Sequence, residues 1–363
     1  MSFCPYPFVS FSLQQGHNVR PCCHYKESDN DISSDDFVKF PTHHLEDGGF
    51  HNIRERMLNG EKLPECEVCY QNEKSVGRSR RLTGLQKWSD VERVNKWNEL
   101  RHLEIMIDNL CNFECRMCNS WQSSKLQKRD VFLGKDVSKA SKADVSFLQV
   151  MDLSKLESMA LQGGEPFMSP NLERIINIVE EQVDLNNIGV HITSNGSVIP
   201  SDDIIEKLNQ FKWIDLTISM ESSHKVNDYI RHHSKKENIF ENIKVFDQWE
   251  NTEINLSSNV NVYNADTIPD TESFVLNMGY DFYWWWTTDT PCALNYAPDE
   301  YKEWLYDRVK DTKFETAYRE YFLDKQYDEQ KWQEFIDETK KLDEWYGVSL
   351  SDYHPDLAKF LNI

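Results

Sequence analysis

An α/β fold built on a parallel sheet is what this sequence predicts, and three observations predict it. Short β-type runs alternate with helical patterns from residue 103 onward. The segments between those runs are long enough for crossovers rather than hairpins. One crossover shows its helix plainly: Ser169 and Pro170 make a start signal, and Leu172, Ile175, Ile176 and Val179 then mark one apolar face.

Six strands are read, at Leu103–Ile107, Ser158–Leu161, Gly189–Ser194, Ile214–Ser219, Ile254–Val262 and Phe282–Trp286. A second crossover helix repeats the apolar pattern with Ile239, Phe240, Ile243 and Phe246. Right-handed βα units of this length curl into a barrel or a doubly wound sheet. Either arrangement gathers chemistry at the carboxyl ends of its strands.

Two flanking regions read differently. Residues 1–85 carry Cys, Pro and Gly punctuation, a polar acidic loop from Glu27 to Asp36, and a short helix with Phe50, Ile53, Met57 and Leu58. This is expected to be a separate unit stapled by metal. Beyond Pro298 the chain turns to acidic, aromatic-rich helical patterns, with Tyr301, Trp304, Leu305 and Val309 and then Trp332, Phe335 and Ile336. A length of 363 residues supports such a division into two or three units.

The formal charge of −21 argues against a broad phosphate-binding surface, so nucleic acid is disfavoured. A local basic patch at Arg78–Ser79–Arg80–Arg81 is the exception that would suit an acidic partner. The start, MSFCPYPFVSF, lacks a basic region and a long apolar stretch, and no window approaches a membrane span. A cytoplasmic protein with no membrane partner is expected. Nine cysteines are an odd number, and in a reducing compartment clustered cysteines bind metal or do chemistry. Eight lie in the first third, in two groups, while Cys292 stands alone.

The stretch Asp108–Asn109–Leu110–Cys111–Asn112–Phe113–Glu114–Cys115–Arg116–Met117–Cys118 follows a strand directly. Three thiolates within one short loop can wrap an iron–sulfur cubane, and without a fourth nearby cysteine one iron is left for an external ligand. A zinc site or unrelated buried thiols would fit the same spacing. The N-terminal group, Cys4, Cys22, Cys23, Cys66 and Cys69, offers four or five thiolates, enough to close a site completely around zinc or a cluster. The histidines show no ligand-pair spacing and read as surface residues. The run Tyr283–Trp284–Trp285–Trp286 reads as core or wall packing. Cys292 reads either as a small buried hydrophobe or as a thiol facing substrate at the sixth strand's exit.

The CxxxCxxC loop resembles the signature of the radical S-adenosylmethionine (SAM) superfamily, and further segments match in order. Leu161–Gln162–Gly163–Gly164–Glu165–Pro166 resembles the GGEP motif that ends the second strand of that family's partial (β/α)6 TIM barrel. Its glycines let backbone approach the ligand, and Glu165 can accept from an ammonium group. Thr193–Ser194–Asn195–Gly196, Ser219–Met220–Glu221 and Asn261 with Asn264 lie at later strand ends. The resemblance implies that Ser194, Asn195, Ser219, Glu221 and Asn261 join Gly163, Gly164, Glu165 and Pro166 around SAM. It also implies that Arg231 pairs with the SAM carboxylate. The residue before the last cysteine is often aromatic in the family and packs on adenine; here it is Met117, whose thioether can also pack on a ring.

The N-terminal cysteines resemble the auxiliary-cluster domains called SPASM and twitch, with a CPxP-like opening, Pro21–Cys22–Cys23, a helix containing Ile53–Arg54, and Cys66–Glu67–Val68–Cys69. The resemblance implies a second [4Fe-4S] cluster on Cys4, Cys66, Cys69 and Cys22, with Cys23 the alternative to Cys22. In most relatives that domain follows the barrel; here it precedes it. The tail from Leu342 to Leu350 also resembles the end of such proteins. The implied architecture is an auxiliary domain at 1–85, a partial barrel at 86–297 and a helical extension at 298–363. The implied reaction is reductive cleavage of SAM at a [4Fe-4S] cluster to a 5′-deoxyadenosyl radical that abstracts a substrate hydrogen. An external flavodoxin- or ferredoxin-like protein would supply the electron. A peptide or protein is the expected substrate, a nucleotide-derived or other small molecule the alternative, and a non-catalytic iron–sulfur or zinc protein the alternative of another class.

Overall fold

The computed structural model describes residues 2–13, 18–26, 32–138, 144–287, 290–322 and 326–363. Part of the acidic loop expected from Glu27 to Asp36 lies outside these residues. The main sheet has seven strands: β1 (Ser10–Leu13), β2 (His102–Met106), β3 (Ser158–Gln162), β4 (Gly189–Ser194), β5 (Trp213–Ser219), β6 (Thr252–Val260) and β7 (Asp281–Trp286). They lie side by side in chain order, and every neighbouring pair is parallel.

This order has a physical consequence. When every crossover is right-handed and advances the sheet in one direction, the crossover helices fall on one face and leave the other free. Alternation along the strands agrees. Leu103 and Ile105, Met159 and Leu161, Val190 and Ile192, and Ile214, Leu216 and Ile218 enter the apolar core with the helix Pro170–Glu180. The alternate positions are polar and tied across strands: His191 Nδ1 to Asp215 at 2.7 Å, and Thr217 Oγ1 to Asn255 Oδ1 at 2.8 Å. Ser169 caps the Pro170–Glu180 helix by accepting from Asn171 N at 3.1 Å.

The six expected strands are present with ends shifted by a residue or two. The shift of the fifth expected strand is informative: β6 stops at Val260, because Asn261 N donates to Asn264 Oδ1 at 2.8 Å and turns the chain. The seventh strand, β1, was not expected. Four residues, Ser–Phe–Ser–Leu, are too few to stand out among Cys and Pro punctuation, yet Ser10 to Leu13 pair in register with His102 to Ile105.

Strand β1 ties part of this N-terminal region to the main sheet. Phe11, Leu13, Phe37, Leu45 and Phe50 join the main core, whereas Phe3, Cys4, Tyr6, Phe8, Ile53, Met57 and Trp88 form a second cluster of their own. His102, expected at the surface, is buried on β2 and shares Ser158 Oγ at 2.9 Å. The Arg80–Arg81 pair, expected to be a patch for an acidic partner, is spent internally: Arg80 on Glu104 and the Tyr6 ring, Arg81 on Glu73.

The C-terminal region is helical, with Asp299–Val309, Phe314–Tyr321, Glu329–Tyr346, Leu350–Tyr353 and Pro355–Leu361. Tyr301, Leu305, Val309, Trp332 and Phe335 are buried in the main core. Among the described residues no helix is long and apolar enough to cross a membrane.

Candidate functional site

The loop from Asp108 to Cys118 leaves the carboxyl end of β2 and is fixed at its start by one carboxylate. Asp108 Oδ1 accepts from the backbone of Asn109 at 2.7 Å and Leu110 at 3.2 Å, and Oδ2 accepts from Ser169 Oγ at 3.1 Å. The β3 exit lies directly on this loop, with Gly164 N donating to Asp108 O at 2.8 Å and Glu165 N to Leu110 O at 2.7 Å. A Cβ at Gly163 would run into the Asp108 carbonyl oxygen, and one at Gly164 into that of Leu110. The glycines are therefore required by contact with the cysteine loop itself, rather than by the approach to a ligand that the motif suggests.

Farther on, Glu114–Cys115 pairs antiparallel with Arg231–His232, so Cys115 sits opposite Arg231. Arg129, fully buried, donates to the carbonyls of Cys115 at 2.9 Å and Cys118 at 2.5 Å, and to Asp130 Oδ1 at 2.7 Å. The C-terminal helix closes the loop's other side: Tyr346 Oη donates to Glu114 O at 2.9 Å, and Asp343 accepts from Arg116 at 2.6 Å.

Cys111, Cys115 and Cys118 thus end on one packed cluster with Phe113 and Met117. Cys115 and Cys118 share a hydrogen bond, which lowers the Cys115 thiol and raises the Cys118 thiol; Arg231 favours the thiolate in both. Burial pushes Cys111 up to about 11. Burial works against the charge on Arg231, but Cys115, Glu221 and Cys118 outweigh it and hold the guanidinium cationic. Its Nη1 donates to Glu221 Oε1 at 2.9 Å, while its Nε is buried without a partner. Three thiols around an unspent buried N–H donor make a donor set suited to a thiolate-ligated, anionic group.

The other expected contacts fall into two sets. Glu165 accepts from Ser194 Oγ at 2.8 Å and Asn195 N at 2.6 Å, and Asn195 Nδ2 reaches Cys111 Sγ at 3.8 Å, so these three residues do meet the cysteine loop. Burial raises Glu165 to about 7 despite those donors. Glu221 joins through Arg231 and also accepts from Asn259 N at 2.8 Å. Pro166 opens the short turn Pro166–Met168. Ser219 ends β5 opposite Ser257. The Asn261 side chain is committed to its own turn, donating to Asn259 O at 2.8 Å and accepting from Tyr263 N at 2.9 Å.

The N-terminal thiols form a second concentration. Cys4 belongs to the smaller apolar cluster, with Cys22 and Cys66 packed on it. Burial raises all four of Cys4, Cys22, Cys66 and Cys69, and Cys4 feels Cys22, Cys66 and Cys69 as like charges. Cys23 has other partners. Its backbone N donates to Glu104 Oε2 at 2.9 Å, and the main force opposing its burial is Arg80. Cys69 Sγ lies 3.9 Å from His24 Nδ1. Among the described residues no three His, Cys, Asp or Glu side chains converge as a single-metal-ion site.

Sequence reasoning missed Arg116, Arg129, Asp343 and Tyr346, which brace the cysteine loop. Arg129 lies in the short helix Gln127–Phe132, and its carbonyl partners on Cys115 and Cys118 are brought to it by the fold. Of the aromatic run, Trp284 and Trp286 pack on the core as expected, but Tyr283 and Trp285 are 46% and 58% exposed.

Residues 105–248 match the family model of the Radical SAM superfamily. Among solved structures, the chain is similar to native anSMEcpe with bound AdoMet, at 15% identity over 57% of this chain and 60% of that one, with a TM-score of 0.42. It is also similar to Streptococcus suis SuiB bound to S-adenosylmethionine, at 16% identity over 89% and 73%, with a TM-score of 0.39. For coproporphyrinogen III oxidase (HemN) from Escherichia coli, described as a radical SAM enzyme, the values are 15%, 53%, 41% and 0.29. The likeness spans three fifths of the length of the first of these proteins.

Proposed function

We propose, from the premise that residues 105–248 are an enzyme domain of the Radical SAM superfamily, that this protein cleaves SAM reductively and uses the resulting radical to modify a peptide or protein. The superfamily implies a [4Fe-4S] cluster and SAM. When bound, that pair supplies a 5′-deoxyadenosyl radical able to take a hydrogen atom from an unactivated carbon. Cys111, Cys115 and Cys118 would hold the cluster. The single observation that carries this reading is the set of three thiols braced by Arg129 beside Arg231, whose buried Nε is unpartnered.

The chain's own residues do the positioning. Arg231 offers its free N–H to an anionic group such as the SAM carboxylate, and Glu221 keeps the guanidinium in place. Glu165 ties the β3 and β4 exits together through Ser194 and Asn195, which holds Asn195 against Cys111. Ser219, Asn261 and Pro166 shape strand-end turns around the same space, and Met117 is offered to the adenine. A partial barrel over residues 86–297 agrees with the sequential parallel sheet, whose helix-free face would receive substrate. The exposed Tyr283 and Trp285 on its edge strand suit an extended peptide chain.

A second [4Fe-4S] cluster on Cys4, Cys22, Cys66 and Cys69 completes the reading, within an auxiliary domain at 1–85 and with a helical extension at 298–363. Mutual burial of these thiols favours their neutral forms, which a cationic iron–sulfur core would reverse. Cys22 is preferred to Cys23 because it packs, with Cys66, on the apolar cluster that contains Cys4. An external one-electron donor of the flavodoxin or ferredoxin class would feed the site. The test is anaerobic reconstitution followed by iron and sulfide analysis and EPR. About eight of each per chain, with a reduced-cluster signal that changes on adding SAM, supports the proposal. About four of each with zinc present would reassign the N-terminal site, and no SAM-dependent signal would remove the enzymatic reading.

A further inference from the structure

Cys292, the one cysteine outside the two groups, lies in the wall of a cavity of about 240 Å3 beside the cysteine loop. The walls come from three places in the chain: Arg116, Met117 and Cys118 from the loop, Lys135 with Glu338 of the C-terminal helix, and Cys292 beyond β7. Two features mark it as a ligand site rather than a packing defect. The Arg116 side chain is only 1% exposed; it spends Nε on Tyr229 O at 3.0 Å and Nη2 on Asp343 at 2.6 Å, but its Nη1 is buried without a partner. A buried cationic N–H without an acceptor is costly unless a ligand or water supplies one. The cavity is also polar at several points, with Lys135 Nζ and Glu338 Oε1 paired at 2.8 Å.

We propose that this cavity takes a ligand with a hydrogen-bond acceptor for Arg116, and that, when no substrate hydrogen is within reach, the Cys292 thiol donates a hydrogen atom to the 5′-deoxyadenosyl carbon radical. The inference rests on the radical SAM reading. Cys118 and Cys292 share the cavity, so a radical formed at the cluster opens onto the thiol. The thiol is held in its protonated form: burial pushes it up to about 11, against the hydrogen bond with Thr290 Oγ1 at 3.1 Å. An S–H bond is weaker than a primary C–H bond, so the transfer runs downhill. In the step, the S–H bond breaks, a C–H bond forms and the electron count is conserved, leaving a thiyl radical on Cys292. One electron from the external flavodoxin- or ferredoxin-class reductant and one proton from solvent restore the thiol.

Two measurements on the reconstituted full chain test this without knowledge of the substrate. In the first, unreduced protein is alkylated with iodoacetamide and Cys292 modification is followed by peptide mass spectrometry. SAM at saturation is expected to slow Cys292 labelling at least about tenfold, and an unchanged rate would overturn the shared cavity. In the second, dithionite and SAM are supplied in D2O and the deuterium content of the released 5′-deoxyadenosine is read per molecule formed. Wild type is expected to place one solvent deuterium at the 5′-carbon, and Cys292→Ser or Cys292→Ala to lower that fraction at least about tenfold. Undeuterated product from wild type would overturn the proposal by showing that a non-exchanging C–H is the donor, and deuterium retained in both variants would overturn it in favour of another exchangeable group such as the Tyr263 phenol. Absence of any 5′-deoxyadenosine from wild type would instead remove the reading beneath it.

Discussion

Replacing Arg129 by Met should loosen the cysteine loop and destabilise the chain by about 3–5 kcal/mol, the range for removing one partner of a buried ion pair. The magnitude follows from what the guanidinium holds. It is fully buried, and it neutralises Asp130, which is itself 1% exposed and otherwise accepts from Ser120 N at 2.6 Å. It also satisfies the carbonyls of Cys115 and Cys118, each costing on the order of 1–3 kcal/mol when stranded, although these costs overlap with the first. Against a total stability on the order of 5–15 kcal/mol, the loss is large. Urea unfolding followed by circular dichroism gives the number, and iron retention after desalting reports the loop. The charge argument makes a sharper demand: adding Asp130→Asn to Arg129→Met should recover about 2 kcal/mol, since the stranded carboxylate is then gone. A single-variant loss under about 1 kcal/mol, or a double variant less stable than the single, would refute the reasoning.

Three further outcomes are expected. Gly163→Ala and Gly164→Ala should each cost roughly 2 kcal/mol or more, because the new methyl meets the Asp108 or Leu110 carbonyl, and both should lower cluster occupancy measured by visible absorbance. Cys22→Ser should remove the N-terminal cluster while Cys23→Ser retains it, as read from iron content; the reverse result would make Cys23 the ligand. Glu165 is raised to about 7, chiefly by burial, so its contribution to stability is full below the ordinary carboxylate range and is lost as pH rises through 7. Wild-type stability relative to Glu165→Gln should therefore fall by about 2–3 kcal/mol between pH 5 and pH 8, and a constant difference in denaturant titrations would contradict the assignment.

What was legible in the sequence was whatever local chemistry announces. The crossover helix at Pro170 shows its cap and its apolar stripe, and the cysteine spacing shows three thiols carried on one loop. Gly163–Gly164 was legible as a motif but not in its reason, since only the fold reveals that the loop at Asp108–Leu110 lies against it. Strand β1 was hidden because four residues carry little periodicity, and its pairing with β2 spans about ninety positions of chain. Arg129, Arg116 and His102 were illegible for a related reason: a charged residue reads as solvated until a distant partner is brought to it. Cys292 is the clearest case of a residue whose two readings needed the structure, because its neighbours Met117 and Cys118 come from the other end of the domain.

The most direct test of the central claim is whether the anaerobically reconstituted chain, given dithionite and SAM, releases 5′-deoxyadenosine. Chromatography with mass detection should find it with wild type and should find it reduced to background when Cys111, Cys115 and Cys118 are all replaced by Ala. No product from wild type, or undiminished product from the triple variant, would contradict the account.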